Sequence, residues 1–270
     1  MNILNRLFSL EGKTALVTGG ATGIGRMIAT ALVEAGAHVM IASRKGEDCV
    51  TVANEINASN PLGKAEGFSG NVGTEEGVDN LVAEVKSRTD KLNILVNNAG
   101  VTWGAPLDEF PYGAWAKIMD VNVTGLFHLT QQLLPLLDNA ASDEDPARVI
   151  NLGSIMGTVA MGDGAYSYSA SKAAVHQLTR ILGKELASRR ITVNAFAPGP
   201  FQSKMTAFAT GSDEKAAKVG EGVPLGRIGS PDDIAGAALF LCGKGGSYVT
   251  GAILPLCGGG HLLTGDPLFD

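Results

Sequence analysis

The chain has 270 residues and a formal charge of −6, from 27 Asp and Glu against 21 Lys and Arg. This balance argues against a nucleic-acid groove, which needs a basic face, and 45% hydrophobic with 18% charged residues excludes a disordered chain. Glycine, at 36 residues, is about twice as frequent as usual and follows no collagen period, so it is expected at tight turns and close backbone approaches.

The segment Met1 to Lys13 has no long apolar stretch and is not read as a signal peptide. Lys13–Thr18 (KTALVT) reads as a strand and Ile24–Ala35 as a helix. His38–Ser43 is a strand, a helix follows near Glu47–Ala58, and a strand near Ala65–Gly70. Next come a helix at Glu75–Arg88, the strand Asn93–Val96 and a long helix over roughly Val121–Leu137. Arg148–Leu152 is a strand, Ser167–Ala187 a helix and Ile191–Ala195 a strand. Pro231–Leu241 is a helix with a Pro-Asp-Asp start, and Tyr248–Leu256 is the final strand.

This βα alternation requires parallel pairing with right-handed crossovers. It predicts one α/β domain over residues 1–270, doubly wound, with a mainly parallel seven-stranded sheet and helices on both faces. Asp138–Pro146 (DNAASDEDP) reads as an acidic surface loop. Residues 200–224 form a connection long enough to be a substrate lid. The longest uncharged run, Gly245–Gly265, holds seven glycines and Pro255 and is no membrane helix. Cys49, Cys242 and Cys257 form no CxxC pair, which suits a reduced, cytoplasmic setting.

Thr18-Gly19-Gly20-Ala21-Thr22-Gly23-Ile24-Gly25 follows the first strand and opens the first helix of the repeat. Glycines there let backbone approach a pyrophosphate at the positive end of a helix. The second strand ends in Ala42-Ser43-Arg44-Lys45, where NAD sites carry an acid for the ribose 2′-hydroxyl. Ser with Arg suits a 2′-phosphate and so NADP; Arg44 and Lys45 merely solvating the next helix is the plainer account. Asn97-Asn98-Ala99-Gly100 lies at the carboxyl end of the fourth strand, where small residues leave room for a flat ring, although a simple turn fits too.

Tyr168-Ser169-Ala170-Ser171-Lys172 places a phenol and an ammonium at i and i+4, on one helix face. An ammonium beside a phenol lowers its pKa toward neutrality and makes it an acid/base; a surface Tyr–Lys pair is the plainer account. Ser154 follows the strand ending at Leu152, and its hydroxyl can polarise a carbonyl. Asn122 opens the long helix, where a cap is the structural explanation. The four histidines, His38, His128, His176 and His261, lack metal spacing and are read as structural or surface residues.

Together these motifs resemble the short-chain dehydrogenase/reductase family over about Leu10 to Gly260, with a Rossmann fold. More narrowly, VNNAGVTWGA, QQLLPLL…PARVINLGS and AYSYSASKAAVHQLTR resemble NADPH-dependent 3-oxoacyl-acyl-carrier-protein reductases of the rhamnolipid-biosynthesis type. The resemblance implies NADP(H) as cofactor and a catalytic set of Asn122, Ser154, Tyr168 and Lys172. Tyr168 would be the general acid, Lys172 would tune it and bind the nicotinamide ribose, Ser154 would hold the substrate oxygen, and Asn122 would anchor a relay water. Tyr166 is the rival acid but lacks the i+4 lysine. Gly19, Thr22, Gly23, Ile24 and Gly25 would form the phosphate loop, with Ser43 and Arg44 at the 2′-phosphate. Asn71 and Val72 would meet the adenine, Asn98, Ala99 and Gly100 the adenosine side, and Pro198, Gly199 and Ser203 the nicotinamide. The chain departs from relatives at Asn71, Asn93 and Cys257, where Asp is usual, and at Ser203, where Thr is usual.

Trp103, Ile155, Met156, Met161, Phe201 and Met205 flank the motifs and are candidates for an apolar substrate pocket. That suits a 3-oxoacyl thioester, on acyl carrier protein or free. Arg180, Lys184, Arg189 and Arg190 are candidates for a carrier-docking patch, against which the acidic Asp143-Glu144-Asp145 speaks. The alternatives are a dehydrogenase of a polyol, sugar acid or other small alcohol, and a nucleotide-sensing protein without turnover. The resemblance also implies a homotetramer through the two long helices, with Leu133, Leu134, Leu136 and Leu137 on that surface, and a tail 261–270 able to reach a neighbour.

Overall fold

The computed structural model describes residues 2–161, 164–203 and 205–262. Its strands are β1 (Thr14–Thr18), β2 (His38–Ser43), β3 (Lys64–Ser69), β4 (Ile94–Asn97), β5 (Ala147–Leu152), β6 (Ile191–Pro198) and β7 (Ile253–Leu256). They form one sheet in the order β3-β2-β1-β4-β5-β6-β7, and every neighbouring pair is parallel. The helices are α1 (Ile3–Phe8), α2 (Gly23–Glu34), α3 (Gly46–Ala58), α4 (Glu75–Lys86), α5 (Gly113–Met119), α6 (Gly125–Ala140), α7 (Tyr166–Glu185), α8 (Ala207–Thr210), α9 (Asp213–Glu221) and α10 (Pro231–Cys242).

Successive strand residues point to opposite faces, and here both faces are covered. Ala15 and Val17 of β1 and Val39 and Ile41 of β2 pack with Ile28 and Leu32 of α2, Val52 of α3 and Ile234 of α10. Leu16, Met40 and Leu95 turn the other way, onto Leu81 of α4, Leu129 and Leu133 of α6 and Leu182 of α7. Burial on both sides is why the strands read as continuous apolar runs. The chain winds outward from β1 to β3, then returns to β4 on the other side of β1. That reversal opens a crevice at the carboxyl ends of β1 and β4.

Several elements differ from the sequence expectation. Helix α1 was not anticipated; it is short, buries none of its residues, and starts where the Asn2 side chain accepts from Leu4 N–H at 2.9 Å. The strand expected over Tyr248–Leu256 is confined to Ile253–Leu256, because Gly251 at φ +76° ends any extended run before it. The long helix opens with a π-helical turn at Asp120–Thr124, and α6 takes in the start of the acidic loop. The connection 200–224 carries α8 and α9. Leu133, Leu136 and Leu137 face the core rather than a subunit surface; on α6 and α7 the exposed large hydrophobic residues are Phe127 and Ile181. Of the tail 261–270, residues 263–270 lie outside the described residues. Asn93, where Asp is usual, accepts Thr14 N–H at 2.9 Å and pins β1 to β4, a bond a neutral amide makes without burying a charge.

Candidate active site

The crevice is stitched together by side-chain-to-backbone bonds at its floor. Thr18 Oγ1 accepts from Asn98 N–H and from Ala99 N–H, both at 3.1 Å. Asn98 Nδ2 donates to the carbonyls of Thr18 at 2.9 Å and Gly19 at 3.1 Å. The glycine loop and the Asn97–Gly100 segment are thereby one rigid unit. Thr22 precedes α2 in an extended conformation and makes no side-chain cap, so the positive helix end is presented to an anion. Gly23 has φ +53°, and a Cβ there would lie 2.8 Å from Ser203 Cβ; only glycine lets residue 203 close over the loop.

Gly19, Thr22, Gly23, Ile24, Asn98, Ala99, Gly100, Ser154, Tyr168, Lys172, Pro198, Gly199 and Ser203 line one cleft. Gly19, Ala99 and Gly100 also line an adjoining pocket, together with Ser43, Arg44, Asn71 and Val72. The two expected residues off the walls are Gly25 and Asn122. Gly25 lies beneath Asn98, whose amide would sit 2.3 Å from a Cβ there. Asn122 stands behind the wall as a strut: its Oδ1 accepts Val101 N–H (2.8 Å), and its Nδ2 donates to Val101 O (2.9 Å) and Ser171 Oγ (3.0 Å).

The walls fit a dinucleotide. The described lining of the adjoining pocket holds no carboxylate, and Arg44 is exposed at its edge, so a 2′-phosphate meets a cation rather than an acid. Ser43 Oγ lies 3.1 Å from Cys49 Sγ and donates to Lys45 O at 3.2 Å. Asn71 Oδ1, expected to accept from adenine, already accepts Gly73 N–H at 3.0 Å, which leaves it one lone pair.

Tyr168 and Lys172 share a face of α7 as their spacing predicts, but the electrostatics differ from expectation. Lys172 Nζ lies 5.5 Å from the Tyr168 ring centroid and donates to Leu152 O at 2.6 Å. It serves that carbonyl rather than the phenol oxygen. Burial raises the Tyr168 phenol above its ordinary pKa, with a hydrogen bond from Ser154 pulling the other way. Burial also pushes Lys172 down to about 8. Desolvation therefore dominates at the Tyr168 phenol, which is protonated at neutral pH. Ser154 Oγ accepts Met156 N–H at 3.2 Å. Tyr166 packs edge-on against Phe110, with centroids 5.3 Å apart, and does not line the cleft.

The apolar candidates separate. Phe201 and Met205 line the cleft. Ile155 is buried with Ala197 and Cys257, and Trp103 and Met161 are exposed. Two of the four docking-patch candidates are engaged by acidic residues. Arg189 is ion-paired with Asp138, and Arg190 with Asp143. Both arginines stand just before β6, at the amino end of the sheet, about 26 Å from its carboxyl end along that eight-residue strand. Arg180 lies about 18 Å along α7 from Tyr168. Sequence reasoning missed Thr206 on the cleft wall, the Leu152 carbonyl that holds Lys172, and His176, read only as structural or surface. A second i+4 step from Lys172 was the available signal for His176. Cys257 Sγ lies 3.0 Å from His261 Nδ1.

A doubly wound parallel sheet with a phosphate-type glycine loop and a Ser–Tyr–Lys cluster at its switch point defines a dinucleotide-dependent oxidoreductase class. Comparison with known proteins makes the class specific. The family described as Enoyl-(Acyl carrier protein) reductase matches residues 19–261. The rhamnolipids biosynthesis 3-oxoacyl-[acyl-carrier-protein] reductase of Pseudomonas aeruginosa is 46% identical over 94% of this chain and 98% of its own. The 3-oxoacyl-[acyl-carrier-protein] reductase FabG of Aquifex aeolicus is 39% identical over 93% and 98%. A solved Pseudomonas aeruginosa RhlG/NADP active-site complex superposes with a TM-score of 0.90 at 45% identity, covering 95% of this chain and 99% of that one. A 2-dehydro-3-deoxy-D-gluconate 5-dehydrogenase of Pseudoalteromonas atlantica is 37% identical over 93% and 97%. The chain belongs to the short-chain dehydrogenase/reductase family.

Proposed function

We propose that this protein is an NADPH-dependent reductase that converts a ketone, a 3-oxoacyl thioester, to the secondary alcohol. The observation that carries this reading is the convergence of Ser154, Tyr168 and Lys172 on one cleft continuous with the acid-free pocket at Arg44. NADPH, when bound, supplies the hydride that the protein itself lacks. Gly19, Thr22, Gly23 and Ile24 hold the pyrophosphate, Ser43 and Arg44 the 2′-phosphate, Asn71, Val72 and Asn98 to Gly100 the adenosine side, and Pro198, Gly199 and Ser203 the nicotinamide side. Gly25 keeps α2 close to Asn98. Ser154 donates to the substrate oxygen, and Tyr168 gives that oxygen its proton. Lys172 restores the proton to the phenol side, and Asn122 acts as a positioning residue by holding Val101 and Ser171.

Phe201 and Met205 provide the apolar wall that suits an acyl chain. A dehydrogenase of a sugar acid is the second reading, favoured by the 37% identical gluconate-type relative. The experiment is a panel of 3-oxoacyl thioesters of coenzyme A and of acyl carrier protein, sugar acids and hydrophobic ketones, each with NADPH and NADH. The highest kcat/KM is expected for a 3-oxoacyl thioester with NADPH; a sugar acid turned over faster overturns the thioester assignment. Arg44→Asp is expected to weaken NADPH binding about 10- to 100-fold, since a hydrogen bond to a charged group is worth about 1.5–3 kcal/mol. NADH affinity should stay level in the same fluorescence titration. Equal loss for both cofactors would place Arg44 outside 2′-phosphate recognition.

Phe127 at 39% and Ile181 at 47% exposure on α6 and α7 support self-association along these helices, as a homotetramer. Three free, buried cysteines support a reducing, cytoplasmic setting. Among the described residues no helix is long and apolar enough to cross a membrane.

A further inference from the structure

Three side chains of α7 meet the exit of β5 on successive turns. Tyr168, Lys172 and His176 are spaced four residues apart and share one helix face. Tyr168 and Ser154 line the same cleft. Lys172 donates to Leu152 O at 2.6 Å, and His176 Nε2 accepts Ser154 N–H at 3.4 Å. The bonds from β5 to β6 end with Gly153 N–H on Phe196 O at 2.8 Å, so Ser154 N–H is the first donor beyond the sheet. Ser154 is buried, and a buried N–H without an acceptor costs about as much as a lost hydrogen bond.

The other ring nitrogen closes the clamp. His176 Nδ1 lies 3.2 Å from Thr158 Oγ1. Because Nε2 accepts, the neutral ring carries its proton on Nδ1 and donates it to Thr158. Ser154 and Thr158 flank the tight turn Ile155–Gly157, so one imidazole holds both ends of the turn that carries the Ser154 hydroxyl. Gly153 completes the seat: a Cβ there would lie 2.2 Å from Nε2, and only glycine lets the ring approach the main chain. The ring is 2% exposed. Burial, with the charges of Arg180 and Lys172 nearby, holds His176 near 4, so it stays a neutral acceptor at physiological pH.

We infer that His176 is a positioning residue for the reaction: it fixes the Ser154 main chain and thereby aims the Ser154 hydroxyl at the Tyr168 phenol and the substrate oxygen. This rests on the ketone-reductase reading above. A histidine that merely fills core volume has no coupling to Ser154.

The test uses the full chain and two kinds of measurement. Nitrogen-15 NMR of the imidazoles, without cofactor, is expected to show His176 protonated at Nδ1 and bare at Nε2 from about pH 6 to 9; a proton on Nε2 overturns the inference. In kinetics with the best ketone of the panel, His176→Leu is expected to lower kcat about 10- to 100-fold, the scale of a misplaced catalytic group. NADPH affinity should hold within about twofold. His176→Gln, which keeps an acceptor and a donor, should recover most of the loss. In a Ser154→Ala background, His176→Leu should cost less than about twofold. A folded His176→Leu with undiminished kcat, or an equal loss in the Ser154→Ala background, overturns it. If His176→Leu fails to fold, the Gln variant and the tautomer decide. A wild type that reduces no ketone removes the functional reading, while the tautomer still reports whether the ring holds Ser154.

Discussion

Tyr168→Phe is expected to lower ketone reduction by about 10²- to 10⁴-fold, the usual worth of a positioned proton donor. The substitution keeps the ring, and with it the packing of α7 against the exit of β5. It deletes only the hydroxyl, on the cleft wall that Tyr168 shares with Ser154. NADPH affinity, read by fluorescence titration, and the melting temperature should change little. Retained turnover would remove Tyr168 as the acid. The rival, Tyr166, is already committed to an edge-on contact with Phe110 and lies off the cleft. The raised pKa of the phenol matters here: a protonated Tyr168 at neutral pH is ready to give a proton, which favours reduction. The reverse reaction needs the phenolate and so improves with rising pH.

Ser154→Ala is the second large effect, an expected fall of about 10²- to 10³-fold in kcat, as for loss of one preorganised donor to a developing oxyanion. Stability should drop by only about 1 kcal/mol, because Met156 N–H loses its acceptor. Combined with Tyr168→Phe, the losses should fall well short of multiplying, since the two hydroxyls act on one oxygen. Multiplicative losses in kcat/KM would mean that the two residues work independently.

The strands were readable within a residue or two at most edges, because a sheet buried on both faces leaves uninterrupted apolar runs between glycine-rich turns. The exceptions have local causes: the positive φ of Gly251, the exposed α1 with no buried residue to mark it, and the π-helical turn before α6. The i+4 spacing of Tyr168 and Lys172 was legible for the same reason, since helix geometry is set by neighbours in sequence.

What became of that pair was not legible. The ammonium meets the Leu152 carbonyl, 20 residues away in sequence, and the phenol pKa moves up rather than down. The same holds for the arginines after α7, which pair with Asp138 near the end of α6 and Asp143 in the loop beyond it, about 50 residues earlier, and for His176 against Ser154. Local order along the chain sets periodicity, turns and which residues share a face, so the fold class and the members of the cluster were present in the residues alone. Desolvation and hydrogen-bond partners depend on segments far apart in sequence that only folding brings together, so the protonation states, the fate of the basic patch and the clamp on Ser154 emerged from the three-dimensional packing.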